Sequence, residues 1–269
     1  MSALALEVND VGLVALRAGA SHPLPASPGL ALFDAGRLLL GAEAADQARL
    51  KPLSVNDAYW DRLDLAPAGL PFPQEVRRAD LAHAQLAAVR AEAGPGIDEV
   101  FLAVPGFWST GAVGLLLSVA RAAGLPVVGL VDAAVAAASL GHPGETLVHL
   151  DLTRHRSVAT AIVQGDGVAR ARVVAEEGRG WAAFEETWAA AVAGQFVRET
   201  LAGSGDAAAA VGAAGAGDAA RAGAALARVA CTSCSVRILG GMVVTMVAVS
   251  LSLARKSEIS AGLPPRIIL

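Results

Sequence analysis

The stretch from Glu99 to Gly167 constrains the fold more than any other part of the chain, because apolar runs, turn residues and helical spacings alternate there in a fixed order. Glu99 to Val104 is a short β-rich run. Pro105, which cannot donate to a ladder, and Gly106 then end it and turn the chain. Ser109 or Thr110 caps a helix through Leu115, Leu116, Val119, Ala120 and Ala123, which stops at Gly124 and Pro126. Val127 to Val131 reads as a second strand. Asp132 stands at its end, before the Ala-rich helix Ala133 to Leu140, where a carboxylate either caps the helix or faces a ligand in a cleft. The β-α-β-α order favours a layered α/β domain.

Two further apolar runs, Leu147 to Leu152 and Val158 to Val163, flank Thr153-Arg154-His155-Arg156, and Gln164-Gly165-Asp166-Gly167 closes the second with a turn. That pattern predicts a hairpin whose first tip carries Asp151, Thr153 and two arginines. The favoured reading of Arg154, His155 and Arg156 is a solvated tip, with cations for a phosphate as the alternative. Phe107 and Trp108 are expected to pack under their loop. Trp181, Phe184 and Trp188, at helical spacing, are expected in a core. Asp57, Trp60, Asp61, Asp64 and the prolines around Leu70 form an irregular insertion whose polar and aromatic mixture suits a partner surface.

Three pieces of this region occur in the order and spacing found in actin-like ATPases. VPGFW stands where the DnaK-type heat-shock chaperones read Val-Pro-Ala-Tyr-Phe, DAAVAAASLG where they read Glu-Pro-Thr-Ala-Ala-Ala-Leu-Ala-Tyr-Gly, and DLTRHR where they read Asp-Leu-Gly-Gly-Gly-Thr. The chain thus resembles the first lobe of those chaperones, members of the actin, sugar-kinase and chaperone superfamily. Leu4 to Arg17 is similar to the family's first phosphate hairpin, with Glu7 at the family's Asp. Ser27 to Pro52 resembles the segment leading to Gly-x-x-Ala, and Gly178 to Glu199 the Leu-Gly-Gly-x-x-Phe-Asp segment with its crossing helix.

The resemblance implies ATP and magnesium held between two hairpin turns. Glu7 and Asp151 are the acids that would hold magnesium through water, and Asp132 the acid that would position or activate the attacking water. Asn9, Asp10, Gly12, Thr153 and Arg154 are the implied nucleotide contacts. The departures are chemical. The family cradles phosphates on Gly-rich turns, where a Cβ blocks close approach; here the first turn reads Glu7-Val8-Asn9-Asp10-Val11-Gly12, and Thr153, Arg154 and His155 replace three glycines of the second. Asn and Asp tolerate left-handed dihedrals, so the first turn is able to keep its shape.

The character of the sequence changes near Thr200. Leu201 to Val229 is mostly Ala, Gly, Asp and Arg, which makes either a low-complexity linker or a weak helix, and which GC-rich DNA also yields out of frame. Ile238 to Ala254 is apolar and followed by Arg255-Lys256. Its length approaches the roughly 17 residues of a membrane span, yet Gly240, Gly241, Thr245, Ser250 and Ser252 interrupt it and its β-branched content suits a buried strand or an unstructured tail. Cys231 and Cys234 lack the context of a redox or metal motif. A net charge of -4 gives no electrostatic reason to expect nucleic acid, and Met1 to Leu16 has no basic leader, so a cytoplasmic location is expected.

The sequence therefore predicts an α/β, ribonuclease-H-like, actin-type ATPase lobe over residues 1–200, a mixed sheet with flanking helices, and an irregular Ala/Gly-rich tail over 201–269. It reads as a truncated or degenerate DnaK-like protein with a weak or vestigial ATP and magnesium site. The alternative is a non-catalytic actin-like interaction protein whose ligand is a protein partner or co-chaperone, tethered to a membrane if Ile238 to Ala254 spans one.

Overall fold

Burial alternates along Ala3–Val8, with Leu4, Leu6 and Val8 at zero exposure, and again along Glu99–Val104, where Val100, Leu102 and Val104 are buried. This period of two places one apolar face of each strand against helices. The computed structural model describes residues 2–140, 146–202, 236–238 and 242–247. In chain order the early strands are β1 (Ala3–Val8), β2 (Gly12–Arg17), β3 (Ser27–Pro28), β4 (Ala31–Asp34), β5 (Arg37–Leu40), β6 (Val55–Asn56), β7 (Glu99–Val104) and β8 (Val127–Asp132). They are followed by β9 (Thr146–Leu152), β10 (Arg156–Gln164), β11 (Val168–Glu177), β12 (Val236–Ile238) and β13 (Met242–Val247). The helices are α1 (Gly41–Ala48), α2 (Arg78–Ala93), α3 (Thr110–Ala122), α4 (Ala133–Ala137) and α5 (Trp181–Ala202).

The protein is α/β, with mixed sheets and flanking helices. The first sheet runs β3-β2-β1-β7-β8, in which β1 pairs antiparallel with β2 and parallel with β7, and β7 pairs parallel with β8. Leu81, Leu86 and Val89 of α2 and Leu116, Val119 and Ala120 of α3 join the buried strand residues in the main core. Each leucine and valine among them contributes roughly 1.5–3 kcal/mol on leaving water. Ser109 caps α3 by accepting from the Ala112 N–H at 3.2 Å, and Gly124, at φ +76°, ends the turn that follows.

The hairpin β9–β10 does not extend this sheet. It founds a second, ordered β11-β10-β9-β13-β12, with β13 parallel to β9. Residues 1–200 thus contribute to two five-stranded sheets, and the apolar run beginning at Ile238 supplies, at Met242–Val247, a strand of the second. Among the described residues no helix is long and apolar enough to cross a membrane. Residues 203–235, with Cys231 and Cys234, and residues 248–269 lie outside the described residues.

Two sequence expectations are corrected here. The insertion is not a free aromatic surface: Tyr59 and Trp60 are fully buried, and both donate to Oε1 of Gln85, Trp60 from Nε1 at 2.6 Å. The Gln85 amide donates in turn to the Pro28 carbonyl and the Ser27 hydroxyl, each at 2.7 Å. A fully buried amide with its oxygen and nitrogen both satisfied fastens the insertion to α2 and β3. Conversely, Trp181 and Trp188 are 38% and 47% exposed, so the α5 aromatics do not form a core; the positions on their other flank, such as Ala183, Ala191 and Gly194, are small.

Candidate functional site

The two turns singled out in the sequence meet. Between β1 and β2, Asn9 folds its side chain over its own turn: Oδ1 accepts from Val11 N–H at 2.9 Å and Gly12 N–H at 3.2 Å, and Nδ2 donates to Glu7 at 3.1 Å. This local capping closes the turn. Gly12 itself sits at φ +152°, where a Cβ would lie 2.3 Å from the Ser27 carbonyl oxygen. Asp10 is thereby aimed outward at the β9–β10 turn, although it is only 4% exposed.

In that second turn, the Thr153 N–H and hydroxyl both donate to the Arg156 carbonyl, at 2.9 and 3.2 Å, and Thr153 is buried. The arrangement points the N–H groups of Arg154 and His155 the same way, as in an anion nest. Their acceptor is the Asp10 carboxylate: Oδ1 receives Arg154 N–H at 3.0 Å and Oδ2 receives His155 N–H at 2.8 Å. Burial pushes Asp10 above its ordinary value, and these two bonds pull it back.

The side chains of the turn are clamped as well, which corrects the expectation of a solvated tip. Arg154 Nε donates to Asp57 at 2.7 Å, and His155 Nε2 lies 3.0 Å from the Asp57 carbonyl. Arg156 makes a two-pronged pair with Asp61, at 2.5 and 3.1 Å, and stacks over Phe107 at 5.1 Å. Burial opposes the charge on Asp57, but hydrogen bonds from His155 and Arg154 outweigh it and hold the carboxyl well below the usual range; the same contact raises His155. Below the turn, the Thr153 and Arg154 carbonyls accept from the first two N–H groups of α5, Trp181 at 2.8 Å and Ala182 at 2.9 Å.

Asp151 stands beside these groups. Burial first, then the charges of Glu7 and Asp10, push it up to about 6, and burial raises Glu7 also. Glu7, Asp10 and Asp151 therefore form one electrostatically coupled acid trio. Among the described residues, no group of three His, Cys, Asp or Glu has the geometry of a metal site. Asp132 does cap α4, accepting from Ala134 N–H at 2.9 Å, but its other oxygen is held by Arg170 Nη1 at 2.7 Å, which also donates to the Gly106 carbonyl at 2.6 Å. Arg170 and Asp132 border a cleft of ≈ 380 Å³ with Val104, Pro105, Trp108, Val113 and Leu130, at the carboxyl ends of β7 and β8.

The structure thus brings Glu7, Asn9, Asp10, Gly12, Asp151, Thr153 and Arg154 together and binds Asp132 to Arg170. Sequence reasoning missed Arg170 and the clamping roles of Asp57 and Asp61. All three act across more than thirty residues of chain, and nothing local marks them. No protein-family model matches the chain, and no curated protein matches it in sequence.

Proposed function

We propose that this chain is a non-catalytic interaction protein built on an actin-like, DnaK-related arrangement whose phosphate site has been taken over by the protein itself. The observation that carries this reading is the Asp10 carboxylate bound to the Arg154 and His155 N–H groups. A carboxylate there presents two oxygens to two backbone donors, as a phosphate would, and leaves those donors nothing to offer a nucleotide. Asp57 and Asp61 absorb the cations of the same turn, and Arg170 absorbs the acid expected to activate water. The residues present do not fit ATP, and no hydrolytic step follows from them.

The strand order β3-β2-β1-β7-β8, antiparallel from β3 to β1 and parallel from β1 to β8, followed by a second hairpin opening a second sheet, supports the actin-like part of the reading. Its interaction part is supported by the outer face of the first sheet, where Leu16, Ala5 and Phe101 lie in one cross-strand row, with Leu16 40% and Phe101 46% exposed. Such a face suits a protein partner or co-chaperone. The acid trio favours a second reading, a vestigial cation site, because a divalent ion would offset the burial and the repulsion from Glu7 and Asp10 that together raise Asp151.

Isothermal titration of magnesium and ATP into the full chain separates the two. The proposal expects no saturable heat with or without magnesium. Magnesium-dependent binding that disappears in Asp151→Ala would overturn it and restore the ATP-site reading.

A further inference from the structure

Arg170 commits one nitrogen of its guanidinium and leaves the other two. Nη1 donates to the Gly106 carbonyl at 2.6 Å and to Asp132 at 2.7 Å, which accounts for both of its hydrogens. Nε and Nη2 have no acceptor among the described residues, and the side chain is 42% exposed. Those two nitrogens form the edge of a guanidinium that takes a carboxylate with two parallel bonds. The same edge of Arg156 does so on Asp61 in this protein.

The free edge is also held still. The two acceptors on Nη1 fix the guanidinium, and the three groups approach one another because residue 106 is glycine: a Cβ there would lie 2.3 Å from Asp132 Oδ2 and 2.7 Å from Arg170 Nη1. Both oxygens of Asp132 are taken, since Oδ1 accepts from the Ala134 N–H. Around this ion pair the cleft of ≈ 380 Å³ is apolar, with Pro105, Trp108, Val113 and Leu130 on its walls and Leu130 41% exposed. A volume of that order belongs to the small-molecule end of ligand sites, roughly 300–1,000 Å³, and the carboxyl ends of parallel strands are where open α/β sheets take their ligands.

We infer that this cleft binds a small organic acid, with its carboxylate on the Nε–Nη2 edge of Arg170 and a flat apolar body against Trp108, Val113 and Leu130. Asp132 already neutralises the cation, so a bare anion gains little there, and burial of the apolar body supplies the rest. The ligand needs both parts. The site does not use the Asp10 turn and stands apart from the reading given above for that turn.

The test is isothermal titration of 3-phenylpropionate into the full chain, with the indole N–H resonance of Trp108 as local reporter. Saturable binding that shifts this resonance is expected, with 3-phenylpropionamide and acetate each weaker by roughly tenfold or more. Arg170→Gln is expected to weaken the acid by about the same factor and leave the amide unchanged. Because that variant also removes the bonds to Asp132 and Gly106, Val113→Phe is the second: it fills the apolar wall, keeps Arg170 and its partners, and is expected to abolish the shift. No saturable binding, an amide or acetate as tight as the acid, or binding indifferent to Val113→Phe would each overturn the inference. A short peptide with a free carboxylate on a terminal phenylalanine, binding tenfold or more tightly than the acid, would overturn it in favour of a protein C-terminus.

Discussion

Asp151 carries the largest unrelieved electrostatic cost at the site. Its folded value of about 6 lies above the ordinary 3.8, chiefly through burial and then through Glu7 and Asp10. The folded protein therefore binds more protons than the unfolded chain between those values. Stability from this group rises as pH falls through that window, and the penalty is fully present above it. The gap corresponds to a penalty on the order of 3 kcal/mol at neutral pH. Asp57 and His155 act in other windows: the contribution of Asp57, held low by His155 and Arg154, is lost only in acid below its ordinary 3.8, and that of His155, raised by Asp57, is lost as pH climbs through its raised value. Asp151→Asn is accordingly expected to raise Tm at about pH 7.5, by roughly 2–4 °C per kcal/mol removed, and to leave it unchanged near pH 3.5, where both forms are neutral. Thermal melts at the two pH values check this, and equal stabilisation at both would sink it.

At the scale of elements, the junction between the β9–β10 turn and α5 depends on one missing side chain. A Cβ on Gly180 would lie 2.3 Å from the Arg154 carbonyl oxygen and 2.4 Å from the Arg156 N–H nitrogen, both backbone atoms that cannot swing aside. Gly180→Ala should therefore cost about 1–3 kcal/mol, the range for overpacking a close approach, seen as a lower urea midpoint with an unchanged slope. Gly114→Ala, on α3 with open space around its Cβ, is the control and should be neutral or slightly stabilising. Elements of this kind divide what the sequence reveals from what it hides. Strands such as Glu99–Val104 and the β9–β10 hairpin, the Ser109 cap and the Asp132 cap were legible, because period and capping chemistry act within a few residues. The burial of Tyr59 and Trp60 and the clamps from Asp57, Asp61 and Arg170 were not, because each depends on a partner between 25 and 97 residues away. The exposed α5 tryptophans were misread for a related reason: helical spacing shows that a stripe exists but not which element faces it.

Across the whole molecule, three apolar clusters are found among the described residues: a large core under the first sheet, a small one of Leu32, Leu39 and Ala44, and one of Ala134, Ala138, Leu147 and Ile162, with Val168 beside them, at the second sheet. Polar contacts join the second sheet to the first: Asp10 on the Arg154 and His155 N–H groups, Arg154 on Asp57, Arg156 on Asp61, Arg62 on Glu177 and Arg170 on Asp132. Bonds to the buried Asp10 and Asp61 carboxylates carry about 1.5–3 kcal/mol each, and removing one partner strands the other, whereas the exposed Arg62–Glu177 pair adds little. The wild-type chain is therefore expected to unfold in one calorimetric transition, with the second sheet melting only when the first does. In Asp10→Ala/Asp57→Ala the two backbone donors of the turn and the Arg154 guanidinium lose their acceptors together. The second sheet should then melt separately and earlier, giving two endotherms in which the later one keeps the wild-type midpoint to within a few degrees. A single endotherm shifted downward as a whole would mean that the apolar contacts of α4, rather than the Asp10 carboxylate and its neighbours, hold the halves together.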